Sequence, residues 1–163
     1  LAEAGGEPVA GPVFAWHDLS FTRFGVAGRA GASGHLQLWE RRNDRWTFTD
    51  LTAKLAGSKE FGGDIAGAVY GIYGDPYRSP RAAIVGMDAG GKFIAYIESD
   101  GWSFVDVEAQ GLLGDGTHPK FVGPLAGYGT PWNAFNFAGV DDKGQIWALW
   151  RSARYPTVRS RWP

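Results

Sequence analysis

An all-β fold made of three related four-stranded units is predicted by three features of this 163-residue chain. Glycine and proline are frequent, with 25 and 9 residues, which favours turns over long helices. Apolar and aromatic residues alternate in short runs, the periodicity of strands. Two short markers recur three times in the same order, at about 55 residues per unit.

The first marker is a strand entered from a glycine turn: Gly34-His-Leu-Gln-Leu-Trp39-Glu, Gly91-Lys-Phe-Ile-Ala-Tyr96-Ile and Gly144-Gln-Ile-Trp147-Ala-Leu-Trp150. The second precedes it as Pro8-Val-Ala-Gly11, Asp64-Ile-Ala-Gly67 and Pro124-Leu-Ala-Gly127. Between them lie Arg23-Phe-Gly-Val-Ala-Gly28, Ala83-Ile-Val-Gly-Met-Asp88 and Phe137-Ala-Gly-Val-Asp-Asp142, whose Gly and Asp ends suit a tight hairpin. The first two units continue as Trp46-Thr-Phe-Thr-Asp50 and Trp102-Ser-Phe-Val-Asp106. Their period of two places Trp46 with Phe48, and Trp102 with Phe104, on one side, where the rings are expected to fill the space between adjacent sheets. Leu51-Thr-Ala-Lys-Leu-Ala-Gly57 reads as a turn or two of helix ending at its glycine. In the third unit Arg151-Ser-Ala-Arg-Tyr-Pro-Thr-Val-Arg-Ser-Arg-Trp162 lacks the Trp-x-Phe-x-Asp run, so its outer strand is expected to be altered or absent.

Four strands per unit suit β-propeller-like blades, over approximate units 8–57, 64–110 and 124–163 of a single repeat domain. Closed propellers use four to eight blades. Three blades therefore imply either self-association or a longer parent chain. A β-trefoil is the alternative, since it also needs three four-stranded repeats, and Gln37-Leu-Trp39 and Gln145-Ile-Trp147 echo the Gln-x-Trp of trefoil lectins.

Composition excludes several functions. Sixteen Lys and Arg against seventeen Asp and Glu leave no basic footprint for a phosphate backbone, so nucleic acid is not an expected partner. No apolar run reaches the roughly 18 residues of a membrane span, and Leu1-Ala-Glu-Ala-Gly-Gly has neither the basic nor the apolar region of a signal peptide. Without Cys there is no disulfide or thiolate site. His17, His35 and His118 have no metal-ligand spacing, and Asp141-Asp142-Lys143-Gly144 reads as a hairpin turn rather than a calcium loop, so no cofactor or metal is expected. No Gly-x-Ser-x-Gly elbow or phosphate loop is present, and the spacing of Asp18, Asp64, Asp75, Glu40 and Glu98 selects no catalytic pair, so no catalytic residue is assigned.

The run Gly34-His-Leu-Gln-Leu-Trp39 followed by Trp46-Thr-Phe-Thr-Asp50-Leu-Thr-Ala resembles the repeats of bacterial propellers similar to fucose-binding and tachylectin-type lectins. Those repeats carry a Glu four residues after the strand-leading glycine that helps to grip the sugar, and here the position holds Leu38, Ala95 and Ala148. The resemblance implies a non-enzymatic, lectin-like module outside the cytoplasm. An assembly module for a protein partner is the first alternative and a glycosidase-like propeller the second. Trp16, Tyr73, Tyr77, Trp132 and Tyr155, in Gly/Pro-rich surroundings, are the candidates to stack on a glycan. Arg151, Arg154, Arg159 and Arg161 are the candidates for a protein partner, because the guanidinium makes forked contacts with carboxylates.

Overall fold

The computed structural model describes residues 4–18, 21–71, 80–107, 119–130, 134–152 and 158–161, with backbone alone from residue 151 onward. Three four-stranded antiparallel sheets follow one another along the chain. The first contains β1 (Val9–His17), β2 (Arg23–Ala30), β3 (Leu36–Arg42) and β4 (Arg45–Asp50), followed by the single-turn helix α1 (Leu51–Lys54). The second contains β5 (Phe61–Tyr70), β6 (Arg81–Asp88), β7 (Phe93–Glu98) and β8 (Trp102–Asp106). The third contains β9 (Ala126–Thr130), β10 (Ala134–Val140), β11 (Ile146–Ser152) and β12 (Val158–Arg161).

Every sheet is a meander in which each strand pairs with its neighbours in sequence. A β-trefoil needs strands of different repeats to pair into a barrel, and among the described residues no strand pairs outside its own sheet, so that alternative is not the architecture. The sheets pack face to face through their first strands, with β5 between β1 and β9, in the manner of propeller blades.

The hairpin between second and third strands closes on a left-handed glycine in all three sheets, and is one residue longer in the first. Gly34, Gly91 and Gly144 have φ of 74°, 77° and 75°, a left-handed backbone that favours glycine. Their N–H groups donate to the carbonyls of Ala30, Asp88 and Asp141. In the second and third sheets the aspartate side chain fastens the loop. Asp88 accepts from the N–H of Gly90 and Lys92, and Asp141 from those of Lys143 and Gln145. The Asp141–Gly144 segment is thus a hairpin turn.

Alternation places the core. Along β7 all six residues are buried because each face of the second sheet is covered. Ile94 and Tyr96 join Leu36 and Leu38 between the first and second sheets. Phe93, Ala95 and Ile97 join Phe135, Phe137 and Leu149 between the second and third. Tyr96 also ties neighbouring sheets by polar contact: its hydroxyl donates to the Lys59 carbonyl and meets Thr52 Oγ1 at 2.8 Å, while Leu36 N–H donates to the same Thr52 oxygen. Burial pushes the Tyr96 phenol above its ordinary pKa.

Three sequence expectations are corrected in detail. The helix is one turn, α1, capped by Asp50, whose Oδ1 accepts from Ala53 N–H, and it ends before Gly57. The third sheet keeps a fourth strand, β12, paired with β11 from Trp150↔Val158 to Trp147↔Arg161. Trp102 and Phe104 do pack between the first and second sheets, but Trp46 is 38% exposed, because among the described residues no sheet covers the face it occupies.

Candidate functional site

The first two sheets meet at the end where β2 begins and β3 and β7 finish. Arg23, the first residue of β2, reaches from the first sheet to the second. Its guanidinium donates to Glu40 on β3, with Nε to Oε1 at 2.8 Å and a second, shorter contact from Nη2. Nη2 also donates to Glu98 Oε1, 2.5 Å away on β7. Glu98 is anchored further by the Ala82 N–H, 3.2 Å from Oε2. All three side chains are largely buried. Burial opposes the charged guanidinium, but hydrogen bonds to Glu98 and Glu40 outweigh it and raise the Arg23 pKa above its ordinary value. Arg42, mostly exposed, approaches Glu40 to 3.7 Å at the rim.

Two indoles flank this triad. Trp16 on β1 pairs in register with Gly25, which pairs with Glu40, so the three lie in one row across the first sheet. The Trp16 ring covers Gly25, where a Cβ would stand 2.3 Å from the ring, too close for any side chain. Trp102, opposite Glu98 on β8, meets Trp16 edge to face with centroids 6.1 Å apart. Neither indole N–H has a hydrogen-bond partner among the described residues. Phe14 stacks on the other side of Trp16 at 5.3 Å.

The corresponding row in the second sheet is Ala68, Ala83 and Ile97. Arg81 stands at the register position of Arg23, but its nearest carboxylate is the exposed Asp100, at 3.5 Å. Among the described residues, the guanidinium between two carboxylates beside two indoles occurs at the first junction alone.

Of the stacking candidates, Trp16 belongs to this junction, although it lies within a strand and is 5% exposed rather than displayed on a loop. Tyr73, Tyr77, Trp132 and Tyr155 lie outside the described residues, as does Arg154. Arg151 is on β11, opposite Phe135, and Arg159 and Arg161 are on β12. Sequence reasoning missed Arg23 and considered Glu40 and Glu98 only as unpaired carboxylates. The available signal was Glu40 itself, two residues beyond Leu38 and therefore on the same face of β3 as the position where the resembling repeats carry their Glu.

No family model matches the chain, and no curated protein matches it. The fold is similar to that of a fucose lectin from Kordia zhangzhouensis solved in complex with methyl-fucoside, with a TM-score of 0.63 over 91% of this chain and 97% of that one. Identity is 10%, so the likeness is one of fold.

Proposed function

We propose that this chain is a lectin-like carbohydrate-binding module whose sugar site is the junction of the first two sheets around Arg23. The observation that carries the reading is the Arg23–Glu40–Glu98 triad set beside Trp16 and Trp102. A sugar offers adjacent hydroxyls, each both donor and acceptor, and less polar faces of C–H groups. A guanidinium donates to hydroxyl oxygens, carboxylates accept from hydroxyl hydrogens, and an indole face packs on C–H groups. A fucoside, which adds a methyl group to that apolar surface, is the first ligand to test, given the lectin of similar fold.

The test is a titration of the folded protein with methyl-fucoside by calorimetry, alongside a glycan array. Arg23→Lys keeps a cation between the carboxylates but loses the planar fork. It is expected to weaken binding at least tenfold, about 1.4 kcal/mol. Folded wild-type protein that binds no glycan would refute the proposal. Because Glu40 and Glu98 meet at one junction, the protein is also to be incubated with an aryl fucoside. No hydrolysis is expected, since both carboxylates accept from one guanidinium and neither is free to protonate a leaving group.

A further inference from the structure

Exposed apolar residues are not scattered over this molecule. Among the described residues the second sheet, covered on both faces, has no exposed large hydrophobic side chain. The exceptions fall mainly on two surfaces: Val9, Val13 and Trp46 on the face of the first sheet turned away from the second, and Tyr128, Val140 and Ile146 on the outer face of the third.

Register shows what these surfaces are built to meet. Tyr128 pairs with Asn136 as Trp16 pairs with Gly25, and Ile146 follows Gly144 by two residues as Leu36 follows Gly34. In the first sheet these positions are sealed by the next sheet, with Trp16 at 5% and Leu36 at 0% exposure. In the third, Tyr128 is 56% and Ile146 51% exposed. The same holds in reverse for Trp46, which faces Arg41 across β3 and β4 as Trp102 faces Glu98 across β7 and β8. Trp102 receives the edge of Trp16 from the preceding sheet, whereas among the described residues no sheet covers Trp46. Residues Gly5–Glu7 cover part of this face, through Gln37 and Trp39, and leave the Trp46 end open.

We infer that a second copy of this chain closes the arc, the third sheet of each copy packing on the first sheet of the other in a six-sheet ring, with Tyr128 of one copy against Trp46 of the other. The chain carries both halves of the junction, and both repeat positions that it already buries internally. Two arcs of three sheets also fall within the four to eight of closed propellers, where one does not. The new junction is no copy of the Arg23 junction, because Ala134 takes the place of Arg23. The inference is independent of the carbohydrate reading.

Sedimentation velocity at about 50 μM is expected to give twice the 17.6 kDa chain mass. Val13→Lys and Ile146→Lys, one on each face, are each expected to yield monomers with unchanged circular dichroism. Because the chain has no cysteine, a short bis-maleimide reads the geometry directly. A mixture of Tyr128→Cys and Trp46→Cys proteins is expected to cross-link, and either alone is not. A monomer at this concentration, an open-ended polymer, or cross-linking of Tyr128→Cys with itself would each overturn the inference.

Discussion

Asp141 shows how one side chain holds a turn and makes it sensitive to pH. Its carboxylate accepts from Lys143 N–H at 2.9 Å, Gln145 N–H at 2.8 Å and the Trp147 indole at 2.8 Å. Burial opposes the charge, but the hydrogen bonds from Gln145, Trp147 and Lys143 prevail and hold the pKa below the usual carboxylate value. A group depressed in the folded state adds stability above its unfolded pKa and loses it as pH falls through the folded one. Wild-type protein is therefore expected to lose more stability than Asp141→Asn as pH is lowered from about 4 toward 2. Urea unfolding across that range checks this, and parallel pH profiles would contradict it. At Gly25 the same scale of reasoning concerns volume: the hydrogen side chain is what allows Trp16 to lie across β2 towards Glu40.

Trp46 and Trp102 stand at equivalent places near the start of β4 and β8, yet their surroundings differ. Trp102 packs in the cluster between the first two sheets, while Trp46 lies on the uncovered face. Trp102→Ala is expected to cost about 3 kcal/mol, as for a packed ring. Trp46→Ala, in dilute solution where association is minor, is expected to cost about 0.5 kcal/mol. Equal losses in denaturant unfolding would contradict this placement. Period two alone puts both residues on corresponding faces, but cannot say which face has a neighbour. The hairpin glycines were legible because each occupies a left-handed turn position. The equivalence of Arg23 and Arg81 was not, for two reasons. Gly28, Gly86 and Gly139 are in register, opposite Gln37, Ile94 and Trp147, whereas the sequence segments were matched two residues away from that register in the second unit and three in the third. The Pro8–Gly11 marker is also out of register with Asp64–Gly67: it is Val13 that matches Ile65, and the same irregularity recurs in both strands, between Val9 and Val13 and between Phe61 and Ile65.

On the scale of the whole molecule, alternating apolar residues, repeated turns and the absence of a long helix made the sheet architecture readable. The candidate site was not readable, because its parts come from β1, β2, β3, β7 and β8 and meet only when two sheets pack. The proposed sugar site depends on that packing: Arg23 joins two sheets, and the indoles beside it come from one sheet each. Titration with methyl-fucoside monitored by ¹H–¹⁵N correlation spectra tests this most directly, because the eight tryptophans each carry one indole N–H reporter. Trp16→Phe and Trp102→Phe assign the two signals from that site. These two are expected to shift together with saturable dependence on sugar, and to stay still in Arg23→Lys at the same concentrations. A folded protein in which neither signal moves, or in which the Trp46 indole responds instead, would contradict a sugar site at the junction of the first two sheets.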